Sequence, residues 1–301
     1  MSKRPLLSLG MPIFNGEDYV REALDSLLRQ SLKDFELIIS DNASTDRTLE
    51  ICTTYAGRDE RIRLIAQDTN LGAAANFNLV FREARGPFFK WAAHDDTLDP
   101  EALEACVAVL EDNPEVVLCH PRLVDVDADG VVLREFDRGN EDTAAPHGRF
   151  WRMILGDHNC AEIFGVIRSS ALQETKLIRS YTDSDRTLLG ELALLGRFEQ
   201  ASRVRFYRRI HPGKSDRVYP GFAERSEWFD PGNRGRVVMS GWRQQGNWLV
   251  AVLRSDLAIR EKGRCLYFLA KLFKWRRKLY LRELGSALLH RPSGRSLSTP
   301  E

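Results

Sequence analysis

Apolar and polar residues follow two different patterns along the first half of the chain. Four short apolar runs predict buried strands, at residues 6–12, 35–40, 62–67 and 88–93. The stretches between them repeat apolar residues at helical spacing, as Val20, Ala23 and Leu27 do. Strands that alternate with helices predict a mostly parallel α/β sheet with right-handed crossovers.

Three expected helix starts in this half carry polar capping residues. Asn15 precedes a first turn that contains Glu17, a charge that suits the positive end of the helix dipole. A second helix is expected from about Asp46. Asp99 and Pro100 form a cap followed by a proline at the first helical position, which predicts a further helix after them.

The second half of the chain is less regular. Further strands are predicted at 116–126, 162–170 and 202–210, with a tight turn at Asp129-Gly130 and a helix at 185–196. Residues 216–260 are rich in Gly, Arg and Trp and give no clear assignment. The tail at 260–285 is helical and basic in its pattern.

Composition narrows the class of protein. Of the 301 residues, 43% are hydrophobic and 29% charged, as in globular proteins, and the formal net charge of +1 indicates no nucleic-acid partner. No apolar run reaches the roughly 20 residues of a membrane-spanning helix, and no signal peptide opens the chain. The five cysteines are scattered without a CxxC pair, which favours a reducing, cytoplasmic location and argues against structural zinc.

Three polar clusters follow directly after predicted strands, at Phe14-Asn15, Asp41-Asn42 and Asp95-Asp96. Ligands of open α/β sheets bind beyond the carboxyl ends of strands, so the three clusters are expected to face one crevice. Adjacent carboxylates suit Mg²⁺ or Mn²⁺, although a polar turn explains Asp95-Asp96 equally well. Asp41 can accept a hydrogen bond from a base N–H or a ribose hydroxyl, and the alternative is a helix cap.

Two common nucleotide-binding signatures are absent from the sequence. It contains neither a GxGxxG fingerprint nor a GxxxxGK[ST] phosphate loop, which disfavours a dehydrogenase and a P-loop enzyme. Gly72, within NLGAAANFN (70–78), offers instead a place where the backbone can come close to a ligand.

Several motifs occur in a recognisable order over about the first 130 residues. LGMPIFNGEDYVREALDSLLRQS, FELIISDNASTDRT, NLGAAANFN and the double aspartate together resemble the nucleotide-binding half of a family 2 glycosyltransferase. DSDRTLLGELALLGRF (183–198) and YRRIHPGKS (207–215) resemble its acceptor-side segments more weakly. The resemblance implies the GT-A fold, a mostly parallel sheet flanked by helices. It further implies a glycosyltransferase domain at 1–215, with a nucleotide-binding half at about 1–130 and an acceptor half at about 131–215, followed by a basic, partly helical extension at 216–301.

The activity implied by the resemblance is an inverting transfer from a nucleoside diphosphate sugar, with a UDP-sugar as the expected donor and Mn²⁺ or Mg²⁺ as cofactor. The acceptor would be a hydroxyl of a glycan, a glycolipid or another molecule, as in cell-envelope polysaccharide or glycolipid synthesis. Positions matched to the family's nucleotide-sugar contacts, together with a candidate cation for the diphosphate, are Pro12, Phe14, Glu17, Asp41, Asn42, Asn70, Gly72, Asn78, Asp95 and Arg209.

Three further positions match the family's metal and base residues. Asp96 and His211 correspond to metal ligands, and the less favoured alternative for His211 is a surface-loop histidine beside Pro212. Asp185 corresponds to the catalytic base, and the same residue could cap the helix that follows it. The pattern departs from the family at His94, where an aspartate often stands, and at Phe77, where an arginine often stands, so one metal ligand and one diphosphate contact are missing.

Two other functions remain open at this point. A non-catalytic sugar-nucleotide-binding or scaffold protein would share the fold, whereas a nucleotidyltransferase would need a glycine-rich, basic loop that GMPIFNGED lacks. The tail segment 262–283 mixes aromatic and aliphatic residues with cations. It could contact the inner face of a membrane as a peripheral helix, or pack its apolar face on the catalytic domain.

Overall fold

A computed structural model describes residues 4–136, 145–155 and 160–289. The strands in this part of the chain are β1 (Leu7–Ile13), β2 (Phe35–Asp41), β3 (Ile62–Ala66), β4 (Phe88–Trp91), β5 (Thr97–Leu98), β6 (Val116–Val126), β7 (Val132–Phe136), β8 (Val166–Arg168) and β9 (Arg197–Arg209). The helices are α1 (Val20–Leu28), α2 (Thr48–Ala56), α3 (Ala73–Arg82), α4 (Ala102–Asp112), α5 (Pro146–Leu155), α6 (Ser169–Glu174), α7 (Ser184–Leu195), α8 (Ser215–Val218), α9 (Phe222–Phe229), α10 (Ser240–Arg254), α11 (Ile259–Trp275) and α12 (Arg277–Leu289).

All of these strands belong to one sheet, in the order β3-β2-β1-β4-β8-β6-β9-β5, with β7 paired to β6. The neighbours β3, β2, β1 and β4 are parallel, as the alternation of strands and helices predicts. The second half is mixed, because β8 runs antiparallel to both β4 and β6 while β6 and β9 are parallel. Strand β7 is also antiparallel to β6, to which a short connection between Val126 and Val132 joins it.

Both faces of the sheet are covered, so its central strands are buried and mostly apolar. Every residue of β1 is buried, and its alternate side chains Leu7, Leu9 and Met11 join the core on the face covered by α1 and α4. On the other face, α3 approaches β1 closely. A Cβ built on Gly10 would lie 2.7 Å from Val80 Cγ2, so this strand position has no room for a larger residue.

Three local predictions need correction. Asn15 does not cap α1: it has a left-handed φ of 51°, and its Oδ1 accepts the Thr45 N–H instead. The side chain of Asp99 accepts hydrogen bonds from Arg205 and Tyr207 on β9 and does not cap α4. The segment 162–170 is not one strand, since a short 3-10 helix (Ala161–Phe164), β8 and the first turn of α6 divide it.

The C-terminal helices are packed on the rest of the protein through a separate apolar cluster. It joins Phe150 of α5 and Trp248 of α10 to Leu269 and Leu272 of α11. Within the described residues, no helix combines the length and the hydropathy needed to cross a bilayer. The predicted unit boundaries near 130 and 215 stay predictions, since strands from both sides of residue 130 share the same sheet.

Candidate functional site

The double aspartate lies where the chain passes from β4 to β5. Strand β5 pairs antiparallel with β9, which sets Thr97 opposite Tyr207. That pairing brings the end of β9 beside the two carboxylates. Asp96 Oδ1 accepts the backbone N–H of Arg209 at 2.8 Å, and His211 Nε2 lies 3.0 Å from Asp95 Oδ2. The structure thus brings His211 beside two carboxylates that lie more than a hundred residues before it in sequence.

The two carboxylates have different neighbours, and their pKa values are therefore shifted in opposite directions. Burial and the negative charge of Asp95 raise the pKa of Asp96 to about 7. Burial also acts to raise the pKa of Asp95, but the hydrogen bond with His211 and nearby positive charges outweigh it and hold that pKa below its usual range. Asp96 is therefore the carboxylate whose negative charge is least compensated.

These residues fit a hard divalent cation. Carboxylate oxygens with an imidazole nitrogen suit Mn²⁺ and Mg²⁺, and Asp96 Oδ2 accepts no hydrogen bond from the residues that the structure describes. A cation would also relieve the repulsion that raises the pKa of Asp96. No group of three His, Cys, Asp or Glu side chains in the described ranges could hold a metal alone. Remaining ligands would thus come from a diphosphate and water, as is usual for Mg²⁺.

Arg209 is buried, and its guanidinium is hydrogen-bonded to several protein acceptors. Its guanidinium donates to Glu22 Oε2 at 2.6 Å, to the carbonyl of Ala128 at 2.6 Å and to that of Asp95 at 3.2 Å. It also lies 4.8 Å from the ring centroid of Tyr19. These contacts join the aspartate loop to α1 and to the loop after β6, and the diphosphate contact predicted for Arg209 stays a prediction.

Lys214 is the cation that the sequence prediction missed. Its ammonium donates to the carbonyl of Arg209 at 3.2 Å and is half-buried. Its charge acts to lower the pKa of both Asp95 and Asp96, which places it close to the two carboxylates. The only sequence signal was its position three residues after His211 in YRRIHPGKS.

Asp41 ends β2 at the carboxyl edge of the parallel half, and its side chain is 1% exposed. One carboxylate oxygen, Oδ2, accepts the Ser44 N–H at 3.1 Å. The other, Oδ1, is buried without a hydrogen-bond partner in the described residues. A buried carboxylate oxygen without a donor is costly, so this atom is suited to receive an N–H or O–H from a ligand.

The loops after β1 and β2 are joined by a set of hydrogen bonds. Glu17 N donates to Asp46, and Glu17 Oε2 accepts the Arg47 N–H at 3.0 Å. Glu17 therefore connects the two loops from an exposed position. Pro12 is buried in β1 beside β2, and Phe14 is half-buried at the start of the loop.

Asn42 and Asn70 connect β2 to the loop before α3. Asn42 Nδ2 donates to Asn70 Oδ1 at 3.0 Å, and Asn42 Oδ1 accepts the Leu71 N–H at 2.8 Å. Gly72 has a φ of +84°, and a Cβ there would lie 2.8 Å from the carbonyl oxygen of Phe229. The close approach predicted for Gly72 is thus made by the chain's own C-terminal part.

Two further positions have packing roles. Asn78 donates from Nδ2 to the Ile178 carbonyl at 2.7 Å and accepts the Ile178 N–H at 3.0 Å, so its amide holds the Ile178 backbone, and its predicted ligand contact stays a prediction. His94 is packed against the loop after β1, where a Cβ on Gly16 would come within 2.4 Å of its ring. Burial lowers the pKa of His94, which favours the neutral imidazole.

Asp185 lies in the first turn of α7. The N-cap position of α7 is Asp183, with a left-handed φ of 61° and no side-chain capping bond. Asp185 is half-buried, and its Oδ1 accepts the Arg186 N–H at 2.7 Å. Its position is consistent with an acceptor-side carboxylate, and the simple N-cap interpretation does not hold.

Relatives of this chain are known. An uncharacterized glycosyltransferase from Rickettsia typhi is 33% identical over 124 residues, which cover 40% of this chain and 38% of that protein. The chain thus spans well under half the length of that relative. S. aureus TarS in complex with UDP-GlcNAc superposes with a TM-score of 0.67 at 19% identity, covering 95% of this chain and 81% of that one.

A second solved structure is the mannosyltransferase PcManGT from Pyrobaculum calidifontis in complex with GDP-Man and Mn²⁺. It has a TM-score of 0.54 at 15% identity and covers 97% of this chain and 89% of the other. At these identities both structural likenesses establish the fold. The model of the family "Glycosyl transferase family 2" matches residues 8–173. Because that match spans more than half of the chain and includes the loops that hold Asp41, Asp95 and Asp96, the chain belongs to glycosyl transferase family 2 and has its GT-A fold.

Proposed function

We propose that this chain is an inverting glycosyltransferase that moves a sugar from a nucleoside diphosphate sugar to an acceptor hydroxyl. The observation that carries the proposal is the buried Asp41 Oδ1, which has no donor among the residues that the structure describes. It lies at the edge of the sheet where the Asp95, Asp96 and His211 cluster also lies. One crevice edge then offers an acceptor for the base and a divalent-cation site for the diphosphate. A scaffold protein would not need both a hydrogen-bond acceptor for a base and a divalent-cation site.

The chemistry of Asp41 limits which base it would bind. A carboxylate oxygen accepts hydrogen bonds and cannot donate them, so it suits the N3–H of uracil or the N1–H of guanine. The N3 of cytosine is itself an acceptor. UDP is the expected donor nucleotide.

Asp41→Asn tests this recognition with little change in size. It offers an amide in place of a carboxylate, and a charge-assisted hydrogen bond is lost. We expect the Kd for UDP in the presence of Mn²⁺ to rise by roughly tenfold or more, since hydrogen bonds to charged groups contribute about 1.5–3 kcal/mol. Isothermal titration calorimetry with UDP, GDP and CDP measures the Kd of each nucleotide. Asp46→Asn is the matched control, because Asp46 bonds the backbone of Thr48 and Glu17 outside the base pocket. Equal affinity of wild type for UDP and CDP would contradict the assignment.

In the proposed reaction the acceptor oxygen attacks the anomeric carbon from the side opposite the diphosphate. The new C–O bond forms as the bond to the diphosphate oxygen breaks, and Asp185 takes the acceptor proton. Asp96 would hold the Mn²⁺ or Mg²⁺, with Asp95 and His211 beside it. When bound, that ion would neutralise charge on the departing diphosphate. Lys214 adds a positive charge to the same end of the crevice.

The decisive experiment for the proposal as a whole is a panel of nucleotides and nucleotide sugars, with and without Mn²⁺. A rise in melting temperature with UDP that requires Mn²⁺, followed by release of UDP from a UDP-sugar, supports a glycosyltransferase. Binding without turnover of any sugar nucleotide supports the non-catalytic alternative. No binding of any nucleoside diphosphate would overturn both.

For the acceptor side, we propose that the C-terminal helices rest on an anionic lipid surface. Residues 259–289 contain nine Lys or Arg and two Glu, in a chain whose formal net charge is +1. One apolar face packs inward through Cys265, Leu269 and Leu272. A second set is exposed, with Tyr267 at 64%, Trp275 at 53% and Leu281 at 66%. Aromatic and aliphatic residues among cations suit the boundary between headgroups and acyl chains.

Vesicle co-sedimentation at low salt tests this surface. We expect binding to vesicles that contain phosphatidylglycerol and none to pure phosphatidylcholine, because the cations need anionic headgroups. The triple variant Tyr267→Ser, Trp275→Ser, Leu281→Ser should lose binding. Its control replaces Val131, Val132 and Leu133 with Ser, since these residues are equally exposed, near 60%, in the loop after β6 and in β7. Equal binding by both triple variants, or no binding by the wild type, would reject the proposal.

A further inference from the structure

The turn that leads into α7 has a conformation that its own sequence does not favour. Asp183 adopts a left-handed φ of 61°, which is uncommon for a residue other than glycine. No side chain caps α7 at this position. A non-glycine residue keeps such a conformation only where the surrounding structure holds it. Asp185 follows two residues later, so whatever holds the turn also sets the direction of that carboxylate.

One face of α10 supplies the contacts that hold this turn. Ser240, Gln244 and Asn247 are spaced at i, i+4 and i+7, which places them in a row along the helix. Each bonds a different one of three consecutive residues. The bonds join Thr182 Oγ1 to Ser240 Oγ at 3.1 Å, Gln244 Nε2 to the Asp183 carbonyl at 3.0 Å and Asn247 Nδ2 to the Tyr181 hydroxyl at 2.8 Å.

Gln244 occupies the centre of this row and is 5% exposed. Its Nε2 donates to the left-handed residue itself, and its Oε1 accepts from Arg276 at 2.9 Å. A carbonyl on one side and a guanidinium on the other allow only one orientation of the amide. The Tyr181 hydroxyl extends the network into α7, where it lies 3.0 Å from Thr187 Oγ1.

The packing below the row keeps α10 and α7 close together. Trp248 is fully buried, and a Cβ on Gly190 would lie 2.6 Å from its Nε1. Movement of α10 would therefore be transmitted directly to the helix that carries Asp185.

We propose that Ser240, Gln244 and Asn247 are positioning residues that hold the turn at 181–183 and thereby aim Asp185 at the acceptor. The inference rests on the proposed role of Asp185 as base. Helix α10 lies beyond residue 173, where the family match ends. The C-terminal extension thus completes the catalytic geometry of the glycosyltransferase domain.

Two adjacent glutamines give a matched pair of variants. Gln244→Glu keeps the size of the side chain and the bond from Arg276 but cannot donate to the Asp183 carbonyl. Gln245→Ala removes bonds of a similar kind that join α10 to Leu269 and Tyr280 and do not reach the turn. A purely structural role of α10 would make the two variants behave alike.

The first readout is kinetic, with UDP-N-acetylglucosamine, Mn²⁺ and water as the acceptor. We expect Gln244→Glu to lower kcat about 10- to 100-fold with KM unchanged, the usual effect of displacing a catalytic group by about an ångström. Gln245→Ala should keep both constants near wild type. Near-normal kcat in Gln244→Glu beside an inactive Asp185→Asn overturns the positioning role and leaves the base in place. Normal kcat in Asp185→Asn removes the base, and the positioning inference with it.

The second readout does not depend on turnover. Backbone amide exchange over residues 181–190 should be faster in Gln244→Glu and unchanged in Gln245→Ala, because only the first variant releases the turn. Unchanged exchange in Gln244→Glu would overturn the inference even for an enzyme whose donor is another nucleotide sugar. Faster exchange in both variants to the same extent would also overturn it.

Discussion

Asp185→Asn is expected to lower kcat by roughly 10²–10⁴-fold, the usual contribution of a general base. Asparagine keeps the size of the side chain and can still accept the Arg186 N–H, but it cannot take the acceptor proton. The Kd for UDP with Mn²⁺ should stay near the wild-type value, because a general base acts on the acceptor and need not touch the nucleotide. Steady-state kinetics and isothermal titration on the same preparations separate the two quantities.

Asp183→Asn is the matched control for this substitution. The Asp183 side chain is exposed, and the turn uses its carbonyl, which the substitution leaves intact. Asparagine also tolerates the left-handed conformation. Wild-type kcat in Asp183→Asn supports Asp185 as the base. A large loss in Asp183→Asn with near-normal Asp185→Asn would move the role to Asp183.

Asp96→Ala should abolish the dependence of UDP binding on Mn²⁺ and lower turnover together with it. Loss of a direct ligand should weaken metal-dependent binding by more than about 100-fold, since even outer-shell partners are worth 10–100-fold. Asp96→Asn should weaken metal-dependent binding similarly, although its amide oxygen can still accept the Arg209 N–H. Such a result would show that the loss of binding does not come from collapse of the loop. Asp99→Ala is the control, because it removes bonds to β9 outside the cluster. Identical UDP affinity with and without Mn²⁺ in the wild type would refute the metal site.

The pH dependence of metal binding follows from the same carboxylate. Burial and Asp95 raise the pKa of Asp96 to about 7 in the metal-free protein, above its ordinary value, so Asp96 is protonated below that pH and must lose a proton to bind a cation. The affinity for Mn²⁺ should therefore fall as the pH drops below about 7, by at most tenfold per unit for one proton. Calorimetry in buffers of different ionisation enthalpy should detect proton release at pH 6 that Asp96→Asn lacks.

The sequence determined the parallel half of the fold and the residues at its edge. Apolar runs depend on neighbours within one element, so β2 (Phe35–Asp41) and β3 (Ile62–Ala66) lie within one residue of the predicted 35–40 and 62–67. The positions of Asp41, Asp95 and Asp96 after strands followed from the same local pattern. Family membership rests on these segments as well, since their order and spacing are sequence properties.

Tertiary structure decided what each polar residue does. Because β5 pairs with β9, the Arg209 guanidinium is hydrogen-bonded inside the protein. Lys214, five residues later, lies near the two carboxylates. The Asn78 amide is likewise hydrogen-bonded to the backbone of Ile178, a hundred residues away in sequence. Ser240, Gln244 and Asn247 on α10 form their bonds to residues 181–183 only because the fold packs that turn beside the helix. A side chain's hydrogen-bond partners depend on which distant strands and helices pack against it, and local periodicity carries no record of that packing.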